Sequence, residues 1–205
     1  MRIVVLGATG GTGSEVVRQA ISAGHEVVPV VRDPERLHVP GALAIRANVM
    51  DPDTLVPAME GADAVVSALG PRRGEPSGVL TGAARATLPA MAKSGVRRLV
   101  IVSASGFFPE EGDGFVTRVI AKPLLQRLLR GSAADARQME ALVTASDSDW
   151  TIMRPPRLTN GPRREYRTAA DRHAGSTISR ADLADAILGA VADHSTIGHR
   201  VGVAY

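Results

Sequence analysis

Apolar residues along this chain follow two rhythms that alternate from one end to the other. Short β-branched runs read as strands buried on both faces, and between them apolar positions recur at helical spacing. The first strand is Ile3-Val4-Val5-Leu6, entered from Arg2, and Val16, Val17 and Ala20 mark the helix behind it. Further strands are expected over 26–31, 42–48, 63–69, 98–102 and 150–153, with a short last one in 198–205. Asp51-Pro52-Asp53 opens a helix, and another covers 79–93 with Gly95 as its stop. Two more are expected over 117–130 and 133–145, separated by Gly131-Ser132, and a last one over 180–192 with Ser179 as its N-cap. Such alternation predicts an α/β, Rossmann-like fold: a doubly wound parallel sheet with helices on both faces. No linker or internal repeat divides it, so residues 1–205 read as a single domain.

The junction of the first strand and helix reads Gly7-Ala8-Thr9-Gly10-Gly11-Thr12-Gly13. Gly7 allows a sharp turn off the strand, Gly10 leaves room at the backbone, and Gly13 lets the helix pack close to the sheet. The helix start then offers free N–H groups, with the Thr9 and Thr12 hydroxyls nearby, to a negative charge. A tight turn without ligand is the rival reading, but a clean strand before and helix after favour a dinucleotide pyrophosphate. At the end of the second strand an NAD-selective fold usually carries an acidic residue, and here Arg32 takes that place. A guanidinium suits a 2′-phosphate, with Arg36 available from the next turn, so NADP(H) is expected over NAD(H). Asp33 is adjacent and able to serve a ribose. Ala68, Leu69 and Gly70 close the fourth strand at the crevice where an open parallel sheet binds its ligand.

Composition narrows the field mainly by exclusion. The 205 residues are 44% hydrophobic and 22% charged with net charge +3, and the arginines are scattered. Without a basic run or many aromatics, a small-molecule substrate is expected rather than nucleic acid. No cysteine is present, which removes disulfides, thiolate zinc sites and cysteine nucleophiles. No histidine pair has metal-ligand spacing, so no metal is assigned. No apolar run approaches bilayer length, and the first strand leaves no room for a signal peptide. A cytoplasmic monomer or small homo-oligomer, with no membrane partner, is the expectation.

The G-x-x-G-x-x-G spacing resembles the short-chain dehydrogenase/reductase superfamily, especially its extended and atypical branches. That resemblance implies that Asn48 and Val49 meet the adenine, and that a serine after the fifth strand polarises the substrate. Ser105 best matches that place, with Ser103 second, although such a serine also commonly satisfies turn backbone. The superfamily's Tyr–Lys pair is missing: tyrosine occurs only at 166 and 205, and no tyrosine precedes Lys122 at the required spacing. From Asp149 the stretch DWTIMRPPRLTNGP, with the later Ile178-Ser179-Arg180-Ala181-Asp182-Leu183-Ala184, resembles one atypical branch. That branch is the NAD(P)H-binding family that includes biliverdin and flavin reductases, and the likeness covers nearly the whole chain. It implies that Pro155 and Pro156, which fix an extended backbone, lie along the nicotinamide. Arg157 replaces the histidine expected after them.

The substrate region is then expected in 104–116 and 154–178. Phe107, Phe108 and Phe115 either wall it or simply pack in the core. Arg157 and Arg73 pair with an acidic acceptor group or stay solvated. The implied activity is NADPH-dependent reduction of a flavin-, quinone- or tetrapyrrole-like acceptor. A non-enzymatic NADP(H)-binding redox sensor is the alternative, and epimerisation is disfavoured for want of an acid–base pair.

Overall fold

A computed structural model describes residues 1–70, 78–108 and 130–205. Arg2–Leu6 (β1) leads through the glycine turn into Gly11–Ser22 (α1), followed by Glu26–Val31 (β2), Ile45–Arg46 (β3) and Pro52–Met59 (α2). Ala64–Ser67 (β4), Val79–Ser94 (α3), Arg98–Val102 (β5), Arg130–Thr144 (α4) and Asp149–Arg154 (β6) come next. Arg157–Thr159 (β7), Arg167–Ala170 (β8), Thr177–Ser179 (β9), Arg180–Ala192 (α5) and Arg200–Ala204 (β10) complete the described elements. The main sheet runs β3-β2-β1-β4-β5-β6-β10-β8 and is parallel except where β8 meets β10. The single-domain Rossmann-like expectation holds, with one antiparallel edge added.

Alternating residues of each strand feed two cores. Val4 and Leu6 of β1 join α2, α3 and α4 on one face, and Ile3 and Val5 join α1 and α5 on the other. Several expected boundaries differ. The third strand is two residues rather than 42–48, because it lies at the sheet edge, where Leu43 is 87% exposed, and Asn48 is taken up by Thr54. The fourth ends at Ser67, which frees Leu69 and Gly70 to line a cavity. Gly131 and Ser132 do not separate two helices. They sit in the first turn of α4, where the leading amides need no intrahelical partner and weak helix formers are tolerated. The helix expected over 117–130 lies outside the described residues, apart from Arg130.

Buried polar groups bind the layers. The Arg98 guanidinium, 6% exposed, donates to the carbonyls of Ala190 and Val191 at the end of α5 and to Thr151 and Thr196 hydroxyls. A cation at a helix C-terminus satisfies otherwise orphaned carbonyls. Asp135 on α4 does the converse for α3, accepting from the Leu80 amide at 3.0 Å, the Thr81 amide at 2.8 Å and the Thr81 hydroxyl at 2.6 Å. Burial alone would raise the Asp135 carboxyl, yet these donors hold it below its ordinary value. A depressed carboxyl contributes stability above its unfolded pKa and loses it as pH falls through the folded one. Acid unfolding of the wild type should therefore steepen below about pH 4. Asp135→Asn should cost about 1–3 kcal/mol at pH 7 and flatten that acid limb, as read by urea titrations across pH.

Candidate functional site

The first strand ends in a turn built around one carbonyl. Gly7 has φ +82°, and a Cβ there would lie 2.8 Å from the Ala68 oxygen. The Gly10 amide donates to the Gly7 oxygen at 2.9 Å, and a Cβ on Gly13 would come within 2.2 Å of that same oxygen. Side chains are excluded here because strand end and helix start share the space. Helix α1 has Gly10 as its N-cap, with no capping side chain and no acidic residue in its first turn. Its positive end is therefore offered to a ligand.

Beside this turn, at the C-terminal ends of β1, β2 and β4, lies a cavity of about 110 Å³. Seven residues singled out from sequence line it: Gly7, Thr9, Arg32, Asn48, Val49, Leu69 and Gly70. Val30, Val31, Met50 and Val79 supply apolar wall. The Asn48 carboxamide oxygen accepts the Met50 amide at 3.1 Å, which fixes the side chain within that wall. Asp33 spends its carboxylate on the Glu35 amide as the cap of a short 3-10 turn, Pro34–Arg36. The glycine cradle, the uncapped helix start and an adjoining part-apolar cavity fit a dinucleotide.

The other half of the site is formed where β5 and β6 leave the sheet. The Ser103 amide donates to the Met153 carbonyl at 2.8 Å and the Ser105 amide to the Pro155 carbonyl at 3.0 Å. The serine turn and the proline segment thus continue the ladder beyond both strands. Ser105 is buried in the turn Ser105–Phe107, and the Ser103 Oγ is buried with no hydrogen-bond partner among the described residues. An orphaned hydroxyl at a crevice strand end costs about 1–3 kcal/mol unless a ligand completes it. Ser103→Ala should accordingly raise the melting temperature, measured by calorimetry.

Phe107 and Phe108 are half-buried and pack against the core of α3 and α4. The guanidinium of Arg154 lies 3.9 Å from the Phe108 ring centroid. It also donates to Glu140 on α4, from Nε to Oε1 at 3.1 Å and from Nη2 to Oε2 at 2.5 Å. This pair fastens α4 to β6, with Phe108 stacked on its arginine, and was missed in the sequence. Its available signal was a glutamate on the apolar face of a helix, between Met139 and Val143. Arg157 is exposed at the start of β7. Arg73, Phe115 and residues 109–116 lie outside the described residues.

Both tyrosines are engaged elsewhere. Tyr166 donates to Asp185 at 2.7 Å, and burial together with that carboxylate pushes its phenol above the ordinary value. Tyr205 donates to Asp182 at 2.5 Å and accepts the Ser179 amide at 3.0 Å. Asp182 is fully buried beneath the start of α5 and also takes the Ser179 hydroxyl at 2.8 Å, while the Ser179 oxygen accepts the Asp182 amide at 3.0 Å. The N-cap expected at Ser179 is therefore present, within a larger polar knot. Among the described residues no cluster of His, Asp or Glu could hold a metal, and no helix is long and apolar enough to cross a membrane.

Comparison with known proteins agrees with this geometry. A 71-residue stretch is 45% identical to the photosystem II assembly factor Ycf39 of Synechocystis, covering 33% of this chain and 22% of that protein. The chain spans less than a quarter of the length of the first curated relatives it matches, at 22% and 23%. A Burkholderia pseudomallei structure, whose name proposes an exported protein, superposes with TM-score 0.84 and 28% identity over 100% of both chains. A Streptococcus pneumoniae structure, named as a proposed NADH-flavin reductase, superposes with TM-score 0.81 over 99% and 98% of the two chains; at 21% identity it shows the shared fold. The model of the NAD(P)H-binding family matches residues 7–194, which span the glycine cradle, the cavity, both serines and α5. This chain belongs to the NAD(P)H-binding family.

Proposed function

We propose that the chain is an NADPH-dependent reductase of a conjugated small-molecule acceptor of the flavin, quinone or tetrapyrrole type. The observation that carries this reading is the placing of two features at the same end of one sheet. The glycine cradle and its cavity lie at the ends of β1, β2 and β4, and the turn in which the Ser105 amide donates to the Pro155 carbonyl follows the neighbouring β5 and β6. When bound, the reduced nicotinamide supplies a hydride. The protein's part is to bind and orient. Gly10 to Gly13 present the α1 amides to the diphosphate, and Arg32 meets the 2′-phosphate. The Pro155–Pro156 backbone limits where a planar acceptor can lie, and the Ser103 hydroxyl has an unspent hydrogen bond for a polar group there. No phenol–ammonium pair is required, because a conjugated acceptor can take its proton from water. The name of the Streptococcus relative supports this class of acceptor.

The test is NADPH oxidation, followed by absorbance, on adding FMN, a quinone or biliverdin. Absence of turnover across that panel would overturn the proposal. Arg32→Ala should weaken NADPH binding by about 1–3 kcal/mol and spare NADH. Equal losses for both in fluorescence titrations would remove Arg32 from the 2′-phosphate. A second reading, a non-enzymatic NADP(H)-dependent regulator, draws on the missing Tyr–Lys pair and on the assembly role in the name of the Synechocystis relative. It requires nucleotide binding without turnover and a protein partner captured only when nucleotide is present.

A further inference from the structure

We infer that Arg180, the first residue of α5, is a cofactor-binding residue that closes over the diphosphate from the far end of the chain. This rests on the dinucleotide reading above and adds a group that the glycine motif does not contain.

The backbone of Gly11 is not in the left-handed region, so no conformational demand calls for glycine. A Cβ on Gly11, however, would lie 2.7 Å from Cδ and 2.8 Å from Nε of Arg180. The arginine arm crosses the first turn of α1 where a side chain would otherwise stand. Its Nη1 donates to the Asn160 carboxamide oxygen at 2.6 Å, a neutral acceptor. Among the described residues no carboxylate pairs with it.

Electrostatically this is a poor resting place. Arg180 sits in the first turn of its own helix and lies across the first turn of another, and a cation is disfavoured at each positive helix end. The placement is nonetheless firm. Gln19 of α1 donates to the Ala181 carbonyl at 2.8 Å, and the Ser179–Asp182 cap fixes the entry to α5. A cation held beside an uncapped helix start becomes favourable once an anion lies between them, through a charge-assisted forked contact. The diphosphate is the anion that the glycine cradle is shaped to admit.

The test compares two probes on wild type, Arg180→Ala, Arg180→Lys and Gly11→Ala. NADPH carries the diphosphate; 2′-AMP carries the 2′-phosphate without it. NADPH is followed by its fluorescence and 2′-AMP by displacement of NADPH. Arg180→Ala should weaken NADPH about 10- to 100-fold while changing 2′-AMP less than about twofold. Arg180→Lys should recover part of the loss. Gly11→Ala, which displaces the arm and leaves the charge in the chain, should fall between them. No loss with Arg180→Ala, or equal losses for the two probes, would overturn the role of Arg180. Failure of wild type to bind NADPH would instead overturn the dinucleotide reading and this inference with it.

Discussion

Glu140→Ala should be among the most damaging single substitutions in this protein, although Glu140 touches neither glycine loop nor cavity. Its carboxylate is 4% exposed and Arg154 opposite it is 10% exposed, with Arg200 Nε also 3.5 Å from Oε2. Removing the anion leaves a desolvated guanidinium facing a second cation. Loss of one member of a buried pair typically costs about 3–5 kcal/mol, far more than the pair's net contribution. Chemical denaturation should show that loss directly. The double variant Glu140→Leu/Arg154→Leu should recover most of it, since two apolar residues leave no buried charge, although the stacking of Arg154 on Phe108 goes as well. A double variant no more stable than Glu140→Ala would show that the pair acts through shape rather than charge. Any activity surviving in Glu140→Ala reports how far the turn Ser105–Phe107 depends on this anchor.

The second large effect is expected from Gly13→Ala. Helix propensity alone favours alanine by about 1 kcal/mol at an interior helical site. The clash decides otherwise, because a Cβ 2.2 Å from the Gly7 oxygen meets backbone that cannot swing aside. Overpacking of this kind costs about 1–3 kcal/mol, and relief requires α1 to move off the end of β1. Either response destroys the amide arrangement at the start of α1, which we propose holds the diphosphate. NADPH binding should fall at least about 100-fold, read by titration, with a melting temperature a few degrees lower. Binding within threefold of wild type would place the diphosphate elsewhere.

Much of this architecture was legible because the two periodicities are clean. The strand over 26–31, the strand over 98–102 and the helix over 180–192 appear with the expected limits, the helix capped by Ser179. The cavity wall was legible too, since glycine and arginine at strand ends have few other uses. What escaped was short or depended on distant partners. β7, β8 and β9 are three or four residues each and carry too few apolar positions to show a period. The Glu140–Arg154 pair and the arm of Arg180 over Gly11 join residues 14 and 169 positions apart, and no local pattern reports such pairings. The phenylalanines were ambiguous for a related reason: whether a ring faces a ligand or a core is settled by the helices behind it.

The ends of the sheet carry a consequence for assembly. One border is the two-residue β3; the other is β8, Arg-Thr-Ala-Ala, paired antiparallel to β10. Arg167 of β8 folds back onto the Ala174 and Tyr205 carbonyls, so even the charged residue there is occupied. Neither border offers a long, flat, apolar ribbon for another strand to extend, which is how natural sheets resist edge-to-edge aggregation.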